Sequence, residues 1–139
     1  MLNSHALVHP NQADLGKLIL RITLAGLILF HGIHKLMHPQ SLQFIASTLI
    51  KHGLPSFIAY GVYIGEVIAP LAILIGFKTR INALIIVINM LFVFGLVHMS
   101  ELFSVTSSGG LAVELQLFYL LTSLAVVLLG SGKFAAKPD

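Results

Sequence analysis

The stretch from residue 56 to residue 77, SFIAYGVYIGEVIAPLAILIGF, decides the fold of this chain. Glu66 is the one charged residue within it. An α-helix rises about 1.5 Å per residue, so this stretch is long enough to cross the roughly 30 Å hydrocarbon core of a bilayer. Three other apolar stretches have a similar length. The sequence therefore predicts four transmembrane helices, at residues 16–37, 56–77, 81–100 and 110–130.

The composition points to the same class of protein. Of the 139 residues, 57% are hydrophobic and 9% are charged, whereas an ordinary soluble domain has about 25% charged residues. A helical bundle with so little polar surface is stable where lipid surrounds it. We expect an all-α integral membrane protein, a four-helix transmembrane bundle in contact with the lipid bilayer. Its predicted parts are a polar N-terminal tail (1–14), the membrane domain (15–133) and a short C-terminal tail (134–139).

The basic residues predict the orientation of this bundle. Lys35 and Lys51 lie towards one side of the membrane, and the other six of the eight basic residues lie towards the opposite side. The positive-inside rule then places both termini in the cytoplasm, in a multi-pass protein of a bacterial inner membrane. Cations at helix ends fit membrane insertion better than a face for binding nucleic acid. The six are Lys17, Arg21, Lys78, Arg80, Lys133 and Lys137.

Glu66 is the residue that most needs an explanation. A carboxylate near the centre of a membrane helix costs about 2.5–3.5 kcal/mol on insertion scales, so it is expected to face the bundle interior. Pro70 cannot donate to the Glu66 carbonyl, which predicts a free acceptor and a kink. Tyr63 lies one turn before Glu66 and is a candidate hydrogen-bond donor. A structural lock and a role in proton handling both fit this pattern.

Polar residues on the other predicted helices extend the pattern. His31 and Lys35 share one face of the first helix, four residues apart. His98 lies near the outer end of the third helix, and Glu114 lies at the outer start of the fourth. Together they predict a polar site inside the bundle, because random interfacial residues would not converge from every helix. The candidate cluster is His31, Lys35, Tyr63, Glu66, His98 and Glu114.

The cofactor and metal chemistry of this cluster stays open. His31 and His98 could bind a quinone, or less well haem or copper, and each could equally be a hydrogen-bonded bundle histidine. No spacing motif indicates a metal site. The chain has no cysteine, which excludes a CxxC redox relay, so electrons would have to come from a partner.

Other polar and small residues are predicted to have structural roles. Arg21 is expected to extend to the cytoplasmic interface. Asn82 and Asn89 are expected to hydrogen-bond to a neighbouring helix. A stripe of small residues that includes Gly61 and Gly65 fits either close packing within the bundle or a homodimer interface. In the first outer loop, residues 42, 45 and 49 recur at helical spacing and fit either a short interfacial helix or an ordinary loop.

Taken together, the motifs resemble the DoxX family over residues 15–133. The resemblance rests on Arg21-x4-Gly26-x4-His31-Gly32-x2-Lys35-Leu36, Gly53-Leu54-Pro55, Gly65-Glu66-x3-Pro70-x3-Leu74-x-Gly76, His98, Gly109-Gly110-x3-Glu114-Leu115 and Gly130-x-Gly132.

The resemblance implies a four-helix bacterial inner-membrane protein whose recurring polar positions are His31, Lys35, Glu66, His98 and Glu114. Some members of the family are linked to thiosulfate oxidation coupled to quinone. Others are linked to membrane oxidoreductase assemblies in thiol and oxidative-stress balance, and a distant eukaryotic relative is a cargo receptor.

Three functions follow from these observations, and whether the chain is itself an enzyme stays open. The first is a redox-linked subunit that binds quinone or passes protons for a partner oxidoreductase. The second is a non-enzymatic scaffold that binds a partner protein or peptide. The third is a small transporter, which the central Glu66 favours and the absence of a visible inverted repeat disfavours.

Overall fold

The structure, a computed structural model, describes residues 9–139 and is almost entirely helical. Residues 1–8, most of the predicted N-terminal tail, lie outside the described residues. The all-α prediction is confirmed for the part of the chain that is described. Its five helices are α1 (Pro10–Met37), α2 (Pro39–Lys51), α3 (Ser56–Ile75), α4 (Thr79–Glu101) and α5 (Glu114–Leu129).

Capping residues and prolines explain where the first two helices begin and end. α1 begins at Pro10, before the predicted start at residue 16. The reason is a capping box at His9, whose ring accepts from the backbone N–H of Asn11 and whose own N–H donates to the Gln12 side chain. Pro39 ends α1 and starts α2, because proline has no N–H to donate and suits the first position of a helix.

The helices α1, α3, α4 and α5 lie side by side. α1 packs against α3 and α5, and α4 packs against the same two helices. α3 and α4 are both long and apolar enough to cross a membrane, and α5 is apolar but shorter, at 16 residues. The core between the helices consists of small and branched apolar residues: Leu24, Ala25, Ile28, Ala69, Ile73, Ala83, Ile86, Met90 and Val126.

The fourth predicted span begins later than expected. α5 starts at Glu114 rather than at residue 110. The residues before it fold into a turn that is closed by an antiparallel bridge between Val105 and Leu111. Gly109, with a φ of +95°, lies in this turn, in a conformation that glycine adopts without strain. The segment that includes this turn is therefore an ordered loop, and it contains residues that were predicted to belong to the helix.

Of the two alternatives for the first outer loop, a short helix and an ordinary loop, the helix is present as α2. Leu49 is buried in it, and Leu42 and Ile45 are half-buried, as their spacing predicts. α2 packs against the start of α3 and also contacts α1 and the π-helical part of α4. It thus covers one end of the space between the longer helices.

Large apolar side chains cover the outside of the molecule. Phe30, Phe118 and Leu128 are each more than 70% exposed. Water would not solvate such a surface favourably, whereas lipid chains would. The exterior therefore fits contact with a lipid bilayer.

Arg21 does not extend to the interface, so that prediction is wrong. Its side chain is 2% exposed. The guanidinium donates to the backbone carbonyls of Ile73 at 2.8 Å, Ser131 at 2.7 Å and Phe134 at 2.9 Å. These carbonyls lie near the end of α3 and in the segment after α5, where the backbone has no helical partner to offer them. Arg21 thereby connects α1 to the end of α3 and to the segment after α5.

The two asparagines of α4 also differ from expectation. Asn82 donates to the carbonyls of Phe77 and Lys78, so it caps its own helix instead of bonding to a neighbour. Asn89 packs against Gly65 of α3, where an added Cβ atom would lie 2.7 Å from the asparagine side chain. The small-residue stripe therefore serves close helix packing at Gly65.

Candidate functional site

The centre of the site is a partly buried ion pair between α1 and α3. Lys35 Nζ lies 2.5 Å from Glu66 Oε2. Glu66 is 6% exposed, and the Lys35 side chain is 23% exposed. The carboxylate thus faces the interior and has a polar partner. Pairing offsets much of the cost of burying each charge alone.

Glu66 lies in the π-helical segment Ile64–Ile68 of α3. Such segments are rare and are frequent at functional sites, because they turn side chains away from their regular helical positions. Pro70 follows four residues after Glu66 and cannot donate to the Glu66 carbonyl in the usual way. That carbonyl instead faces Gly32 of α1, where an added Cβ would overlap it. The kink expected from Pro70 is therefore accommodated by a widened turn and by a glycine.

The ion pair borders a cavity of about 520 Å³, which we call the polar cavity. All five helices contribute residues to its wall. Apolar residues form much of the wall, and eight polar residues complete it. The polar lining residues are His31, Lys35, Gln40, Ser41, Glu66, His98, Gln116 and Tyr119.

The two predicted histidines both line the polar cavity. The His31 ring meets the Tyr119 ring edge to face, with 5.8 Å between centroids. His98 ends a second π-helical segment, Phe94–His98, and its Nδ1 lies 3.3 Å from Glu101 Oε2. Each histidine can offer a ring N–H to a ligand oxygen. The structure therefore brings together four of the six predicted residues.

Tyr63 and Glu114, the other two, are not among the residues lining the polar cavity. Tyr63 packs edge to face on Tyr60 instead. It was predicted to share the face of Glu66, but the π-helical turn between them alters the usual three-residue spacing. Glu114 is exposed and lies over the turn at Gly110, because α5 begins only at that residue.

Four lining residues were missed by sequence reasoning. Gln40 and Ser41 come from the first turn of α2, in the outer loop to which the sequence analysis assigned no role in the site. Gln116 and Tyr119 lie three residues apart on one face of α5, and this helical spacing is a signal in the sequence that could have identified them. Gln116 Oε1 is buried, and within residues 9–139 it has no hydrogen-bond partner. It is a buried acceptor without a donor among the described residues, on a residue that lines the polar cavity.

Within residues 9–139, no three His, Cys, Asp or Glu side chains converge in a way that could hold a metal ion. The arrangement instead combines hydrogen-bond donors, one carboxylate and apolar walls. Such a cavity suits a small, mostly apolar molecule with oxygen atoms at its polar end.

Comparison with known proteins gives one finding. A family model described as DoxX matches residues 16–99. No curated protein and no solved structure matches the chain. The matched region runs from α1 through most of α4 and contains Lys35, Glu66 and His98.

Proposed function

Since the chain belongs to the DoxX family, a family of membrane proteins, we propose that it is a redox-linked subunit that binds a quinone head group in the polar cavity and acts with a partner oxidoreductase. The observation that carries the proposal is the Lys35–Glu66 pair at the edge of a cavity of about 520 Å³. A buried ion pair that served packing alone would have no need of a cavity beside it.

The proposal includes a membrane arrangement: a four-helix transmembrane bundle in a bacterial inner membrane, with both termini in the cytoplasm. Support comes from the end of the molecule opposite to the polar cavity. There the Lys133 backbone N–H donates to Asp14 Oδ1, and the Arg80 N–H donates to Asp139 Oδ2. The start of α1, the turn between α3 and α4 and the C-terminal segment thus share one cation-rich end, as the positive-inside rule requires of a cytoplasmic face.

The residues of the cavity have the chemistry that quinone and quinol require. Reduction of a quinone to a quinol takes up two electrons and two protons. His31 and His98 would donate hydrogen bonds to the carbonyl oxygens, and Glu66 would pass the two protons one at a time between the ring oxygens and water. Lys35 would hold the carboxylate in place. The electrons would pass to or from the partner oxidoreductase, since the chain has no cysteine pair to carry them.

The test uses Glu66→Gln. The amide keeps the shape and the hydrogen-bond acceptor but cannot take up a proton, so turnover of the assembled complex should fall by about 100-fold, a typical general acid–base contribution. Glu114→Gln is the matched control, because it removes an exposed carboxylate outside the cavity. Quinone reduction by the complex, reconstituted in bilayer nanodiscs, is the measurement.

A double variant separates proton handling from packing. Lys35→Gln with Glu66→Gln replaces the ion pair by a neutral hydrogen-bonded pair, which avoids an unpaired buried charge. We expect thermal stability close to that of the wild type and turnover as low as that of Glu66→Gln. Wild-type turnover in both variants would contradict the proposal.

A scaffold remains the second candidate, and one observation favours it: Lys35 and Glu66 satisfy each other and need no ligand. Solvent extraction of the protein purified in nanodiscs distinguishes the two functions. A quinone site should retain lipid-soluble quinone in proportion to protein, and a scaffold should retain none above the level of the lipid.

A further inference from the structure

A second cavity lies beside the polar cavity. Its volume is about 220 Å³, and its wall is formed by α2, α3 and α4. Asn89 is its one polar lining side chain, and the remaining lining residues are aliphatic, aromatic or glycine. We call it the apolar cavity. Hydrocarbon is the chemistry that this wall would favour.

The two cavities share a partition. Four aliphatic residues line both of them: Ile45, Val62, Val93 and Val97. The ion pair is on one side of this partition, and the apolar wall is on the other. A molecule that reached across it would therefore have a polar end and a hydrocarbon end.

The apolar cavity opens on the outer surface of the helices. Ile64, Ile88 and Phe92 line it and are 46%, 49% and 43% exposed. Ile64 belongs to α3, and the other two belong to α4. These helices are the two that are long and apolar enough to cross a membrane, so the opening between them faces lipid sideways.

We infer that the two cavities form one site for an amphipathic quinone, with the head group in the polar cavity and the isoprenoid tail leaving through the apolar cavity into the bilayer. The inference rests on the proposed function, because the head group is assigned there. It adds the route of the tail and the side from which the ligand enters. Three observations carry it: the shared partition, the apolar lining and the lateral opening.

The test fills the apolar cavity without touching the polar one. Gly61 lines the apolar cavity alone, and apart from its chain neighbours and the backbone of its own helix no described atom lies within 4 Å of an added Cβ there. Gly61→Leu would place a branched side chain in the path of the tail. Gly26→Leu is the matched control, since Gly26 is also helical, has the same free space and is not among the lining residues of either cavity. Ile58→Phe, at another residue that lines the apolar cavity alone, is the second filling variant.

Two ligands are compared in nanodiscs by equilibrium binding: a dimethoxy-methyl-benzoquinone without a tail and the same ring with a decyl chain. In the wild type, the decyl compound should bind more tightly. In Gly61→Leu and Ile58→Phe it should bind at least about tenfold more weakly, because each buried methylene contributes about 0.8 kcal/mol and tenfold is about 1.4 kcal/mol. Binding of the tail-free ring should be unchanged in all variants, and Gly26→Leu should resemble the wild type.

The outcomes separate this inference from the proposed function. If neither ligand binds the wild type, the head-group site itself is wrong. If both ligands bind the wild type and the filling variants alter neither affinity, or lower both equally, the tail route is overturned while the head-group site stands.

Discussion

Individual residues without a distinctive sequence pattern determine how closely the helices pack. Gly32 is one of the twelve glycines of the chain, and its neighbours in the sequence do not show that its packing differs from that of Gly26 on the same helix. In three dimensions they differ, because Gly32 faces the Glu66 carbonyl while Gly26 faces free space. The contact is between backbones, where neither partner can rotate away. Gly32 is therefore required by the approach of α1 to α3.

The glycine pair gives a direct prediction for stability. Gly32→Ala should destabilise the protein by at least about 1–3 kcal/mol, the usual range for overpacking. Gly26→Ala should stabilise it by about 0.5–1 kcal/mol, because alanine is the better helix former. Thermal unfolding of the two variants in the same detergent measures the difference. Equal midpoints would show that the backbones of α1 and α3 are not in close contact.

Sequence reasoning succeeded for some residues of the site and failed for others. A charge in a membrane helix is costly, so Glu66 and Lys35 could be recognised from the sequence as residues that need a polar partner. Gln116 and Tyr119 are neutral and carry no such cost, which is why they were overlooked. Arg21 was misread because the carbonyls that it binds belong to residues at least 52 positions away.

At the scale of elements, the two π-helical segments are the features that build the site. Each adds a residue to a turn, and each turns one predicted side chain, Glu66 or His98, towards the polar cavity. Pro70 explains the first segment through its missing N–H. We have no comparable explanation for the second segment, which no proline follows.

The role of Pro70 can be tested by restoring the N–H. In Pro70→Ala, the new donor can bond to the Glu66 carbonyl, which favours a regular helical turn and moves the carboxylate away from Lys35. We expect the free energy of unfolding to change by less than about 1.5 kcal/mol, since a hydrogen bond is gained and ring packing is lost. Binding of the tail-free quinone should weaken.

The control for this experiment is Pro55→Ala, which changes the proline that precedes α3 outside the helix. It should leave quinone binding unaltered. Unchanged affinity in Pro70→Ala would mean that the π-helical turn does not depend on the proline.

The bounds of the helices could be predicted only in part. Hydropathy locates apolar stretches, but helices end where capping groups and turns end them. α1 extends beyond its apolar stretch because His9 caps it, and α5 is shortened because the loop before it pairs with itself. Such local hydrogen bonds leave little trace in a hydropathy pattern.

For the whole molecule, the proposed orientation makes a prediction about its ends. A C-terminal fusion to a reporter that is active only in the periplasm should give no signal, because both termini are expected in the cytoplasm. The same reporter inserted at Gly109, in the ordered loop before α5, should be active. A strong signal from the C-terminal fusion would reverse the orientation and place the polar cavity in the cytoplasmic half.

For the molecule as a whole, composition alone could predict only the class of protein. An abundance of apolar residues with few charges favours the bilayer as solvent, and apolar stretches of about 20 residues favour the helix as the spanning structure. The order in which helices pack and the cavities between them depend on side-chain shapes that periodicity does not encode. The polar cavity could therefore be anticipated as a cluster, but its shape and its apolar neighbour could not.

The hydrogen bonds of Arg21 also have a consequence in time. Ser131 and Phe134 follow it by 110 and 113 residues. At a synthesis rate of about 5–20 residues per second, the ribosome needs roughly 5–20 seconds to produce these acceptors after Arg21 has been made. During that interval Arg21 Nη1 lacks its acceptor at Ser131 and has to be solvated by water or lipid head groups, even after Ile73 has become available to Nε. Final docking of the first helix thus waits until the segment that follows α5 has been synthesised.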